Sequence, residues 1–131
     1  MAEYEPAVCN IGSEQQRMRW RFGAGALALA LVYTVGVLAT GQSPVLLIGT
    51  VLLSFAGFLG VLQARMNFCV AFAAGGRYDF SNSEGETGAV EDADLRRQDR
   101  FRAVEITVYA ALLAAVAGGL AYLALLLLSL G

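Results

Sequence analysis

The chain contains no histidine and no lysine, and only two cysteines and two prolines among its 131 residues. Without histidine, haem and most zinc chemistry lose their usual ligand, and two cysteines are too few for a four-cysteine metal site or a disulfide-dense secreted scaffold. Charge is scarce as well: 15% of residues carry it, against roughly 25% in ordinary soluble domains. Its nine basic residues, all arginine, are outnumbered by eleven acids, so the net charge of −2 offers no basic tract for nucleic acid. Neither a Gly-x-x-x-x-Gly-Lys phosphate loop nor a Gly-x-Ser-x-Gly nucleophile turn occurs, and Asp92 and Asp94 lack the spacing of a calcium loop. These absences predict no cofactor, no metal and no catalytic constellation.

What is abundant is apolar surface. Hydrophobic residues make up 57% of the chain, against roughly 45–50% in a soluble domain. Residues 22–41 hold no charge over about 20 positions, enough at about 1.5 Å per residue to cross a bilayer core of about 30 Å. Gly41, Gln42, Ser43 and Pro44 then break the run, and Pro44 suits the first turn of a second helix over residues 44–65. A third charge-free run, 106–131, is longer than a span needs. The expected fold is an all-α integral membrane protein with three transmembrane helices.

Arginine distribution orients them. An arginine at a helix centre costs roughly 2.5–3.5 kcal/mol on insertion scales. Arg17, Arg19 and Arg21 precede the first run, Arg65 and Arg77 follow the second, and Arg96, Arg97, Arg100 and Arg102 precede the third. Three crossings put all of them on one face, which predicts a cell-membrane protein with a cytoplasmic N-terminus and an external C-terminus. A secretory signal over 1–41 fits less well: the apolar run exceeds the 7–15 residues of a signal core, and the arginines begin only at residue 17.

Outside the spans, residues 1–21 read as an N-terminal segment and interfacial helix. Ser13 and Gln16 have the spacing of a capping box, and Trp20 stands as a headgroup-level anchor. Arg17, Arg19, Arg21 and Arg65 read as topology and lipid-headgroup contacts. Residues 66–76 are apolar but too short to span, and read as an interfacial segment. Residues 77–105 read as a cytoplasmic solvated loop, mobile over 77–91, followed by a charged helix feeding the third span, with Asp92/Arg96 and Asp99/Arg102 as helical ion pairs. Within the runs, Ala56/Gly60, Ala114/Gly118 and Ala115/Gly119 place small residues one turn apart, the spacing that lets helices approach closely in lipid.

The second run returns Cys69 to the side that holds Cys9, so the two thiols could meet. The reading as small hydrophobes weighs against reactive thiolates beside Arg17, Arg19 and Arg65. Cys9-Asn10-Ile11-Gly12, with Arg19 and Gly23 leading into the first helix and Phe68-Cys69 and Gly76 after the second, resembles the YgaP-like small transmembrane domain family over residues 7–77. Gln15-Gln16 replaces that family's acid-Arg pair, Val70 replaces its proline after cysteine, and the third helix is additional. The resemblance implies a membrane hairpin that some relatives join to a rhodanese sulfur-transfer domain.

No span carries Asp, Glu, Arg or His, so a proton or ion pathway lacks its markers. The sequence therefore points to a structural or accessory subunit, partnered by the lipid bilayer and by other membrane proteins or its own copies. The alternative is a membrane-tethered thiol protein using Cys9 and Cys69 with a soluble sulfur-transfer or thiol partner. Oligomeric transport of a small neutral solute is a third class with no residue to point to.

Overall fold

The structure is a computed structural model that describes residues 4–80 and 87–130. Helix α1, Ser13–Thr40, ends where Gly41 turns left-handed (φ 63°) and returns its N–H to the Val37 carbonyl. Ser43 then accepts the Val45 N–H, and Pro44 opens a 3-10 turn, Pro44–Leu46, that runs into α2, Leu47–Met66. After the left-handed Asn67 come the short helix α3, Val70–Ala74, and two strands, β1, Arg77–Asp79, and β2, Thr87–Ala89. The last element, α4, Ala93–Leu130, is one helix of 38 residues, about 57 Å at 1.5 Å per residue. Three helices are thus long enough and apolar enough to cross a membrane, and the composition is that of a multi-pass membrane protein.

Helix α2 is the middle element, packed on both α1 and α4. Small residues make this possible. A Cβ on Gly60 would stand 2.9 Å from the Gly23 Cα, and one on Gly23 would stand 2.8 Å from the Gly57 carbonyl oxygen. On the other side, a Cβ on Gly118 would collide with the Val51 side chain, below Ala114, which is buried on the same face of α4. That face repeats as Asp99, Ala103, Ile106, Ala110, Ala114, Gly118 and Ala121. Ala56 is half-buried beside the first contact, whereas Ala115 and Gly119 turn outward. In an apolar surrounding such interfaces rest on van der Waals packing and a few interhelical hydrogen bonds. The Thr34 hydroxyl, which donates to the Ala30 carbonyl, lies 2.7 Å from the Thr50 hydroxyl across α1 and α2.

Several local expectations are corrected. The capping box does not form: Gly12 is the N-cap of α1 with no side-chain cap, Ser13 lies inside the helix, and the Gln16 amide donates instead to the Ala64 carbonyl at 2.8 Å. Neither ion pair forms. Asp92 caps α4 by accepting the Asp94 N–H at 2.8 Å, while Arg96 donates to the Val90 and Glu91 carbonyls. Asp99 turns away from Arg102 toward the N-terminal segment, and Arg102 pairs with Glu105. Within the expected loop, residues 77–79 and 87–89 form two short strands, β1 and β2, that pair antiparallel with Tyr78 opposite Gly88. Residues 81–86 of that expected loop lie outside the described residues.

Two glycines test the α1–α2 contact. Gly60→Leu is expected to destabilise the fold by roughly 1–3 kcal/mol or more through overpacking. Gly25→Ala, where a Cβ meets nothing within 4 Å, is expected to be neutral or mildly stabilising. Thermal unfolding in detergent followed by circular dichroism measures both, and an equal response at the two positions contradicts the packing.

Candidate functional site

The site forms where the chain leaves α2. The Phe68 N–H reaches the Gln63 carbonyl at 3.0 Å and the Val70 N–H reaches the Gln63 side-chain oxygen at 2.9 Å, so one glutamine holds the turn from both sides. Between them Cys69 is only 2% exposed. Asn10, fully buried, clamps it like a strand partner: its side-chain oxygen accepts the Cys69 N–H at 2.6 Å and its amide donates to the Cys69 carbonyl at 3.1 Å. Its own N–H donates to the Asn67 carbonyl at 3.0 Å. Each buried backbone group left without such a partner would cost roughly 1–3 kcal/mol.

The Cys69 sulfur accepts Arg19 Nη2 at 3.0 Å and the Phe72 N–H at 3.5 Å. Arg19 extends from α1 across the turn, with Gln15 accepting Nη2 at 3.5 Å and the Phe72 ring centroid 5.8 Å from its guanidinium carbon. That ring offers a modest cation–π attraction. The buried Arg19 Nε has no hydrogen-bond partner among the described residues. Arg19 and Gln63 also form the polar end of an apolar groove of about 440 Å³ between α1 and α2, walled by Phe22, Phe55 and Leu59.

A strap over residues 4–12 brings Asn10 to this place. The Tyr4 hydroxyl donates to Asp99 Oδ2 at 2.6 Å and the Ala7 N–H to Asp99 Oδ1 at 2.8 Å. Burial, and then the facing Asp99 carboxylate, push the Tyr4 phenol well above its ordinary range. Tyr4 also stacks on Tyr78, with ring centroids 5.1 Å apart. Farther along, Asn10 and Gly12 exchange backbone bonds with Asp79 of β1. Buried Ile11 sits between them, and Ala7 adopts φ 60°, an uncommon conformation for a residue with a Cβ.

The expected residues therefore converge in part. Asn10 and Arg19 meet Cys69, Phe68 buries beside it against Ala73, Ala103 and Ile106, and Gly12 caps α1. Gly23 admits α2, and Gly76 takes φ 68° with a Cβ position 2.8 Å from the Arg96 side chain. The two cysteines are not bonded to each other: both are free, and the Cys9 thiol donates to the Ile11 carbonyl at 3.5 Å. Burial and the Glu5 carboxylate push the Cys9 thiol up, outweighing the opposing effect of that bond. Arg17, Arg21 and Arg65 are exposed on the outer surface.

Gln63 and Tyr4 went unrecognised in the sequence, and Gln16 and Asp99 were matched to local partners that they do not take. Asp99 carried a signal, since the buried period of α4 extends back through it. No group of three or more His, Cys, Asp or Glu among the described residues is placed to hold a metal. No described protein family, curated protein or solved structure matches this chain.

Alkylation of the two thiols against pH tests this geometry. A raised thiol value leaves less thiolate at any given pH, so Cys9 is expected to react slowly near neutrality and to accelerate only above the ordinary thiol range. Cys69 is expected to stay unlabelled in the folded protein and to become accessible in Asn10→Ala. Free-thiol rates at both positions near neutral pH would contradict the arrangement.

Proposed function

We propose that the protein is a three-span integral membrane protein that serves as a structural or accessory subunit, packing with other membrane proteins or with its own copies. The N-terminus and residues 65–105 are cytoplasmic in this reading, and the C-terminus lies outside. Its principal support is the outward surface of the long helices. Val32 on α1 and Leu127 on α4 are 69% and 61% exposed, and no neighbour approaches the Cβ positions of Gly25, Gly36 or Gly119 within 4 Å. These faces are apolar and carry small residues where a further helix can approach. The polar contacts around Cys69 and Asp99 tie the chain's own elements together, as an assembly scaffold requires.

A second reading, thiol or sulfur-transfer chemistry with a soluble partner, draws on one observation: the Arg19 guanidinium lies against the Cys69 sulfur. At 2% exposure Cys69 would have to open before it could react, and this favours the scaffold reading.

Extraction in a gentle detergent separates the two. The scaffold reading expects the chain in a complex larger than its 13.8 kDa protomer, retained when Cys69 is replaced by serine. Recovery as a monomer at every concentration, with a thiol-transfer activity abolished by Cys69→Ser, would overturn it.

A further inference from the structure

At the arginine-bearing end of α1 and α2, Gln16, Arg17, Trp20, Ala64 and Arg65 line a cleft of about 240 Å³. The Gln16 amide donates to the Ala64 carbonyl at 2.8 Å, so the floor is bonded shut and fixes the helices side by side. Each of the two lining arginines directly follows one member of that bonded pair. Two arginines from different helices therefore line one opening. Arg65 has no bonded partner among the described residues; Arg17 pairs with Glu14 at 3.1 Å, but both side chains are more than half exposed, at 66% and 54%. Such an exposed pair contributes little and yields readily to a better anion. Arg21, one turn beyond Arg17 on the same face, is exposed and adds positive charge.

We propose that this cleft binds the anionic headgroup of a phospholipid, with Arg17 and Arg65 on the phosphate and the Trp20 indole at the headgroup boundary. This rests on the membrane reading above. Two features favour lipid. Guanidiniums pair with phosphate oxygens through directed charge-assisted bonds. The face of α1 that carries Arg17 and Trp20 also continues at helical spacing through exposed Ala24, Ala28, Leu31 and Val35, the last two 67% and 55% exposed, so acyl chains continue along an apolar wall while the headgroup stays among the arginines. The remaining arginines with inward partners differ. Arg19 of α1 is turned inward to Cys69, and Arg102 of α4 pairs with Glu105.

Trp20 is the single tryptophan of the chain and reports on this cleft alone. The protein is reconstituted into vesicles of phosphatidylcholine and phosphatidylglycerol, with bromine on the acyl chains of one lipid or the other, and Trp20 fluorescence is measured at equal mole fraction of the brominated species. One arginine near an anionic surface corresponds to roughly a fivefold gain, and Glu14 offsets part of the two, so brominated phosphatidylglycerol is expected to be preferred roughly fivefold. Arg65→Gln brings the preference near parity, and Arg65→Lys keeps most of it. Arg100→Gln, on α4 and outside the cleft, leaves it unchanged. Equal quenching by the two lipids in the wild-type protein overturns the site while leaving the membrane reading intact, and does not depend on any variant folding. A preference that survives Arg65→Gln also overturns it. Absence of quenching by either lipid removes the membrane reading itself.

Discussion

Moving a guanidinium into hydrocarbon costs several kcal/mol, and a backbone or side-chain polar group left there without a partner adds a comparable penalty. The distribution of polar groups along this chain follows that constraint closely. Arg17, Arg19 and Arg21 stand in the first turns of α1, Arg65 in the last turn of α2, and the arginines of α4 in its opening turns. Because α1 and α2 form a hairpin, these positions come to the same end of the bundle. Among the few polar groups of the apolar stretches, Thr34 bonds to Ala30 and Thr50, Thr107 to Ala103, and Gln63 to Leu59 and to Val70.

From that separation the two ends acquire different jobs. Away from the arginines, the core is a thin seam of Val37, Leu47 and Ala121 with Tyr33 and Leu125, and the Tyr33 hydroxyl holds the hairpin turn through the Leu46 carbonyl at 2.7 Å. At the arginine-bearing end, distant pieces of chain meet. Asn10 reaches Cys69, Tyr4 and Ala7 reach Asp99, and Asp79 joins the strap to the small sheet. Asp99 is fully buried, and its two contacts cross more than ninety residues of sequence, so it fastens the strap to α4. Cys69 is the hub on the other side.

The spans were legible in the sequence because charge-free length is a one-dimensional property, and so was the hairpin break at Gly41–Pro44, which rests on local backbone preferences. The continuity of α4 was legible too, from acids in its first turn and arginines behind them. Side-chain partners were not. Ser13 and Gln16 had capping spacing, but Gly12 sat extended at the N-cap and the Ala64 carbonyl on the neighbouring helix claimed the glutamine. Asp99 was matched to Arg102 by local spacing, whereas the contact that forms comes from Tyr4 and Ala7, far away in sequence. Strands of three residues, one holding Gly88, carry too little alternation to be read without the strap and turn that flank them. At the site, Asn10, Arg19 and Cys69 were marked by their motif, and only the fold revealed that Asn10 holds the Cys69 backbone while Arg19 reaches its sulfur.

The account depends most on an odd number of crossings with every arginine on one side. Attaching a reporter active only in the cytoplasm and one active only outside to each end of the chain in turn measures this directly. The account predicts cytoplasmic activity at the amino end and external activity at the carboxyl end. Both ends on the same side would contradict it.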